Sequence, residues 1–356
     1  MKCFNPQSPP FKLYGFPFYE TDKIYRRMPL NPSHPLPDAV DGLANETAGG
    51  QIRFHAKFKE LSIEVHIAEK PGYFDHIRSP HLAETTKRSF DLYLSKNGEE
   101  FVFYDVSKNL STNKRSYTTM LAAFEEAQDL DVLLIFPSYG GVDKVLLWLD
   151  DDAVVLPPLH KFSSDKKLLF YGTSIQQGAC ASRSGMGQAA LLSRWLNLET
   201  YNLGFNSSGK SEPEVANVIA EIENPVALLI SIEGNCPTSE WLDEKLSNFV
   251  EIYRNAHPDV PIVIIPFFVS GKDLLTPKLL MRREKDREIQ RSIVTKRRDA
   301  GDKNIYLYTV EEDIPKECNG HSIWHEVTVD GLHYNELGFY LATEGLYKFL
   351  KETVKL

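Results

Sequence analysis

Apolar and polar positions alternate along the first third of the chain. Ile52, Phe54, Ala56 and Phe58 are separated by polar residues, and Leu61, Ile63, Val65 and Ile67 repeat the pattern. A period of two lines one face of a half-buried strand, so both runs read as strands. Phe90, Leu92 and Leu94 continue the theme, Asn97-Gly98 is a hairpin turn signal, and Phe101-Val102-Phe103-Tyr104 reads as the returning strand. Val132 to Phe136 and Val145 to Leu149 add two more strands around Tyr139-Gly140-Gly141. The pattern predicts an antiparallel β-sandwich of short strands.

The periodicity changes near residue 156. Leu156-Pro157-Pro158 and the polar stretch Ser163-Ser164-Asp165-Lys166-Lys167 read as a linker. Beyond it, apolar strand candidates beginning at Leu168, Thr200, Val226, Pro261 and Asn304 alternate with helical patterns. Val215, Val218, Ile219 and Ile222 form one apolar stripe, and Leu242, Leu246, Phe249, Val250 and Tyr253 another. Such alternation predicts an α/β domain of three layers, a parallel sheet with helices on both faces. The expected division is therefore a β-domain over residues 1–160 and an α/β domain over 161–356.

Charge and composition narrow the function. At 356 residues and a net charge of -9, the chain lacks the basic footprint of a nucleic-acid binder, and anionic membranes would repel it. The N-terminus has no apolar core of a signal peptide, and the longest apolar run, Pro261 to Val269, is too short to span a bilayer. A soluble, cytoplasmic protein is expected. Four cysteines without framework spacing agree with a reducing compartment.

The chemistry lies in two short motifs of the second half. Gly172-Thr173-Ser174 follows the apolar run Leu168 to Tyr171, and Asp330-Gly331-Leu332-His333 stands near the C-terminus. A serine hydroxyl is a poor nucleophile unless a base takes its proton, and histidine titrates in the right range to serve. With Asp330 three residues before His333, one turn of chain can set the carboxylate against Nδ1-H and leave Nε2 free for Ser174. The placement after a strand puts Ser174 at the carboxyl end of the sheet, where open α/β folds hold ligands.

The chain also carries motifs of other chemistries. Gly204-Phe205-Asn206-Ser207-Ser208-Gly209-Lys210-Ser211 fits the phosphate-loop pattern, between a strand and a helix. However, Ser211-Glu212-Pro213-Glu214 reads as a capping box with Ser211 as N-cap, which starts the helix after Lys210, too late for a phosphate loop. Gly185-Met186-Gly187 lies too far from its strand for a dinucleotide loop and reads as a helix start. Cys318, His321 and His325 have a spacing zinc could use, but three ligands are too few for a structural site, and no metal is expected. The basic run from Arg282 to Arg298 alternates charge at helical spacing and reads as a solvated helix face.

The second half resembles the SGNH or GDSL hydrolases. Their four blocks match, in order, Ser174 in Gly-Thr-Ser, Gly204 in Tyr201-Asn202-Leu203-Gly204, Asn235 in Glu233-Gly234-Asn235-Cys236-Pro237, and Asp330 with His333. The stretch Gly172 to Met186 is similar to a bacterial subgroup with an N-terminal β-domain carrying a Gly-x-Asp-Leu-Tyr signature, matched here by Ser89-Phe90-Asp91-Leu92-Tyr93. The resemblance implies a flavodoxin-like hydrolase domain behind that β-domain. It also implies an oxyanion hole of the Ser174 and Gly204 N–H groups with the Asn235 amide. Three positions depart from the pattern: Thr173 replaces the usual first-block aspartate, the third block reads Gly-Asn-Cys, and Asn206-Ser207-Ser208 replaces a more glycine-rich stretch.

The expected function is a cofactor-free serine esterase, with Ser174 as nucleophile, His333 as base and Asp330 as its orienting acid. The resemblance implies a small acyl group, acetyl, on a small-molecule or oligosaccharide ester. The alternatives are an acyltransferase using the same triad, a nucleotide-binding protein using Gly204 to Ser211, and a carbohydrate-binding protein with an inert hydrolase site.

Overall fold

The computed structural model describes residues 1–68, 79–108, 115–312 and 321–356. Two compact units form. The first holds Met1–Leu30, Gly42–Ser164 and Ser182–Gly185; the second holds Asn31–Asp41, Asp165–Ala181 and Met186–Leu356. The main passage from one to the other, after Ser164, coincides with the polar stretch that marks the change of sequence pattern.

In the first unit, β1 (Lys2–Phe4), β2 (Lys12–Tyr14), β3 (Gln51–Ile67), β4 (Asp91–Ser95), β5 (Val102–Val106), β6 (Ser116–Ile135), β7 (Val142–Leu149) and β8 (Val154–Leu156) form one antiparallel sheet. Its order is β1-β7-β3-β6-β4-β5, with β2 and β8 also paired to β3. Short helices α1 (Tyr19–Asp22), α2 (Asp38–Leu43) and α3 (Glu84–Arg88) lie in the same N-terminal stretch of chain. The expectation of short strands is corrected. The two alternating runs are a single strand of 17 residues, and Val132 to Ile135 closes a strand of 20 residues. The apolar alternation shifts parity between Phe58 and Leu61, and the pairing with β6 is irregular at that place. Phe58 pairs with Gln128 and Glu60 with Ala123, so the extra residues of this bulge fall on β6, and β3 continues across it. The Asp150 carboxylate accepts both Lys59 N and Glu60 N at 2.6 Å, so the bulge leaves neither group unsatisfied.

The Asp91-Leu92-Tyr93 signature grips Ser182–Gly185, which belongs to this same unit. Asp91 is fully buried and accepts Arg183 Nη1 at 3.0 Å and Gly185 N at 2.7 Å. The guanidinium also donates to Tyr93 Oη at 2.5 Å and lies 3.8 Å from the Phe103 ring centre. Asp91→Ala is expected to lower stability by ~3 kcal/mol, because it leaves a largely buried guanidinium without its counter-charge. An unchanged denaturation midpoint would contradict this.

In the second unit, β9 (Lys167–Gly172), β10 (Glu199–Gly204), β11 (Pro225–Ser231), β12 (Ile262–Ile264) and β13 (Ile305–Leu307) form a parallel sheet in the order β10-β9-β11-β12-β13. The helices are α4 (Ser174–Gln177), α5 (Gln188–Leu196), α6 (Pro213–Ala220), α7 (Ser239–Ala256), α8 (Gly271–Leu274), α9 (Pro277–Asp299) and α10 (Glu336–Phe349). Leu168 and Phe170 pack into a core with Ala189 and Leu192 of α5 and Phe339, Ala342 and Leu346 of α10. Tyr171, one residue on, faces the other way and stacks on Phe249 of α7 at 4.8 Å. Both faces are thus covered, as the unbroken apolar run of β9 requires. The strand order is flavodoxin-like, with β10 added on one side of β9 and β11 to β13 on the other, so the carboxyl end of β9 opens on the crevice where such sheets bind ligands.

The run from Arg282 to Arg298 departs from the expected solvated face. It lies in α9, where Asp286, Gln290, Ile293 and Val294 are buried on an inward stripe.

Candidate active site

Ser174 occupies the first position of α4, directly after β9. Its predecessor Thr173 caps the helix: Thr173 Oγ1 accepts Ile175 N at 3.3 Å, while Gln176 Oε1 reaches back to Thr173 N at 3.0 Å. Threonine and aspartate are both good N-cap residues, so Thr173 in the aspartate's place still starts the helix that carries Ser174.

His333 comes from a turn stapled on both sides. Thr328 and Tyr334 form an isolated antiparallel bridge, Val329 N donates to His333 O at 2.9 Å, and Asn335 N donates to Val327 O at 3.0 Å. Gly331 sits at φ +81°, the left-handed region that glycine enters without penalty, which lets the turn close in so few residues. Behind the histidine, Tyr334 is buried and stacks on Phe268 at 4.6 Å.

The structure brings Ser174, His333 and Asp330 together. Ser174 Oγ lies 2.9 Å from His333 Nε2, and His333 Nδ1 lies 2.8 Å from Asp330 Oδ2. Asp330 Oδ1 accepts His333 N at 2.8 Å and Leu332 N at 2.9 Å. Partial burial pushes the Asp330 carboxyl up, but these hydrogen bonds and the imidazole outweigh it and hold its pKa below the usual carboxylate value. Ser174 and His333 are 8% and 9% exposed, open enough for a substrate and dry enough to strengthen their hydrogen bond.

The expected second-block donor, Gly204, has its N–H in a hydrogen bond within its own strand: Gly204 N donates to Asn202 Oδ1 at 3.0 Å, inside β10. Gly204 is glycine for packing: a Cβ there would lie 2.2 Å from Gln177 N. The following loop runs against the same helix, since Asn206 N donates to Gln177 Oε1 at 2.9 Å. Within that loop Ser207 holds φ +57°, and among the described residues its N–H meets no acceptor. Ser207 belongs to the Asn206-Ser207-Ser208 stretch that departs from the family's more glycine-rich second block, and a serine's identity does not by itself announce a left-handed backbone.

Asn235 lies in a 3-10 turn, Glu233–Asn235, that follows β11. Its Nδ2 donates to Phe205 O and to Gly209 O, both at 3.2 Å. The third block therefore holds the second-block loop by both ends. Cys180, which the sequence did not single out, places its Sγ within 4.8 Å of a His333 ring nitrogen. Burial, then the nearby Asp330 and Glu336 carboxylates, push its thiol up to about 12, so it stays protonated and is no rival nucleophile.

The nucleotide reading fails on the local geometry. The N-cap of α6 is Glu212, without a side-chain cap, and Pro213 follows in the first turn. Ser211 is thus not the N-cap that the capping-box pattern suggests; it adopts φ +61° and its buried Oγ has no hydrogen-bond partner among the described residues. Glu212 Oε2 accepts Lys210 N at 3.0 Å and Tyr171 Oη at 3.2 Å, so a carboxylate of the chain stands where a phosphate would need donors. Of the zinc-spaced trio, Cys318 lies outside the described residues, while His321 and His325 are exposed. Among the described residues no helix is long and apolar enough to cross a membrane.

Comparisons with known proteins follow the division of the chain. A family model described as the GDSL-like lipase/acylhydrolase family matches residues 165–351, and one described as the N-terminus of Esterase_SGNH_hydro-type, GxDLY, matches residues 1–155. Among solved structures, one described as a GDSL-like lipase from Bacteroides ovatus is 25% identical, with a TM-score of 0.87 over 99% of this chain and 98% of that one. The salicylyl-acyltransferase SsfX3 from a tetracycline biosynthetic pathway is 18% identical, with a TM-score of 0.69 over 97% and 95%. An acetyl xylan esterase, Est2A, from the rumen bacterium Butyrivibrio proteoclasticus is 13% identical, with a TM-score of 0.55 over 99% and 98%. None of the curated proteins matches the chain.

Proposed function

The chain belongs to the GDSL-like lipase/acylhydrolase family, and on that premise we propose that it is a serine esterase removing small acyl groups, acetyl foremost, from carbohydrates. The observation that carries the reading is the unbroken relay from Ser174 Oγ to His333 Nε2 at 2.9 Å and from Nδ1 to Asp330 at 2.8 Å. His333 takes the hydroxyl proton as Ser174 attacks the ester carbonyl. It then returns that proton to the leaving alcohol, and a water repeats the sequence on the acyl-enzyme. Asp330 holds the ring in the tautomer with its proton on Nδ1 and stabilises the imidazolium that forms.

The tetrahedral oxyanion is received by the N–H of Ser174 and, in place of Gly204, by the N–H of Ser207. Fixed donors of this kind are each worth on the order of a hundredfold or more in rate. Asn235 acts by fixing the loop that carries Ser207. The acetyl and carbohydrate parts of the proposal come from the family's habits and from the likeness to an acetyl xylan esterase.

The test is turnover of aryl acetate, butyrate and octanoate esters, and of acetylated sugars, before and after a serine-directed phosphonate. Loss of turnover with one adduct on the peptide carrying Ser174, and a preference for acetate, is the expected result. An adduct elsewhere, or turnover that survives full labelling, refutes the reading. Acyl transfer to an added alcohol with negligible free acid would reassign the chain as a transferase.

A further inference from the structure

The polar stripe of α9 buries charge where a helix of this length could bury leucines. Asp286 and Gln290 are 0% and 1% exposed, and the partner groups Glu233 and Asp273 are 2% and 3% exposed. Replacing such buried ionic groups with apolar side chains is often neutral or stabilising, so stability does not account for them. Their contacts do. Arg282 donates to Cys236 O at 2.7 Å and to Pro237 O at 3.0 Å, and its Nε meets Asp286 Oδ2 at 3.2 Å. Arg283 donates to Glu233 Oε1 at 2.8 Å, and Gln290 Nε2 donates to Glu233 Oε2 at 2.8 Å. Glu233 also accepts Phe267 N at 2.9 Å. Four ties from α9 thus fall on Glu233, Cys236 and Pro237, within two residues of Asn235 on either side, and the Asn235 amide in turn clasps Phe205 O and Gly209 O.

We propose that Arg282, Arg283, Asp286 and Gln290 form a positioning frame for the Asn235 turn, and through it for the loop bearing the Ser207 N–H. The proposal rests on the serine-esterase reading. These four side chains touch no reacting atom. A frame that sets an oxyanion donor affects the transition state and leaves ground-state binding alone, so its loss appears in kcat.

The test uses the full chain and an aryl acetate. Arg282→Met is expected to lower kcat about 10- to 100-fold with KM within about twofold, the size of effect that a misplacement near 1 Å produces. Arg282→Lys, which keeps the charge but offers no fork, is expected to recover part of the loss. Because Arg282→Met leaves Asp286 buried and unpaired, Arg282→Met/Asp286→Asn is measured beside it, with an unchanged melting temperature and the same loss in kcat expected. In an Asn235→Ala background, Arg282→Met is expected to add nothing further, since both act through one turn. A folded double variant with unchanged kcat, a change confined to KM, or full multiplication of the Arg282 and Asn235 losses would overturn the proposal. Labelling at Ser174 is read separately in each variant: absence of the adduct in the parent protein sinks the esterase reading, whereas an intact adduct with unchanged kcat in the variants sinks the frame alone.

Discussion

Ser174→Ala is expected to lower kcat on an aryl acetate by about 10⁴-fold or more, with the protein still folded and still able to bind substrate. The hydroxyl is the atom that forms the acyl bond, so no neighbour can take over its part. The nearest other candidate, Cys180, is a buried thiol held protonated, with a pKa pushed up to about 12. What survives is the catalysis the oxyanion donors give to direct attack by water. His333→Ala is expected to match it closely, because the members of such a triad act as a unit and their losses do not add. Steady-state kinetics on the purified variants, with phosphonate labelling as a control, decides the matter. A Ser174→Ala protein within about tenfold of the parent rate would end the proposal, since no variant of this mechanism tolerates it.

Asp330→Asn is expected to cost about as much as 10⁴-fold in kcat while leaving the turn in place. The asparagine carbonyl can still accept His333 N and Leu332 N, which Asp330 Oδ1 accepts at 2.8 Å and 2.9 Å. Its amide would face Nδ1, 2.8 Å from the present Oδ2. An amide donor there drives the ring proton to Nε2, so the ring can no longer accept from Ser174. A rate close to the parent would show that Asp330 does no orienting. The Asp330 carboxyl is held below the usual aspartate value in the folded chain, so its contribution to stability is present above that value and is lost as pH falls through the lower, folded one. Asp330→Asn is therefore expected to remove this acid-linked loss of stability, read from the melting temperature as pH falls below the usual carboxylate range.

Some of this could be read from residue order alone. The alternation of Ile52 to Phe58 and of Leu61 to Ile67 made both runs legible as strand, while the change of parity between them read as a break rather than as an irregularity inside one strand. The sheet of the second unit was legible for the same reason: β9 is apolar throughout, and only a strand covered on both faces can be. Asp330 and His333 were legible because their spacing is itself a geometry; three residues through a glycine at φ +81° bring a carboxylate to its ring. The merging of two alternating runs into one long strand was not legible, since its continuity depends on what pairs with it across the sheet.

The sequence by itself determined the parts: which residues carry nucleophile, base and acid, which segments are strands, and where the character of the chain changes. Tertiary structure alone decided which donors are left over to do chemistry. Gly204 and Ser207 differ in no way that composition ranks correctly, yet the N–H of Gly204 is taken by Asn202 while that of Ser207 meets no acceptor among the described residues. Likewise the charges of α9 look like a solvent face until the fold turns Arg282, Asp286 and Gln290 toward the Asn235 turn. The physical reason is common to both: a backbone group or a charge acquires its role from the partners it has or lacks, and partners distant in sequence are assigned only when the chain closes on itself.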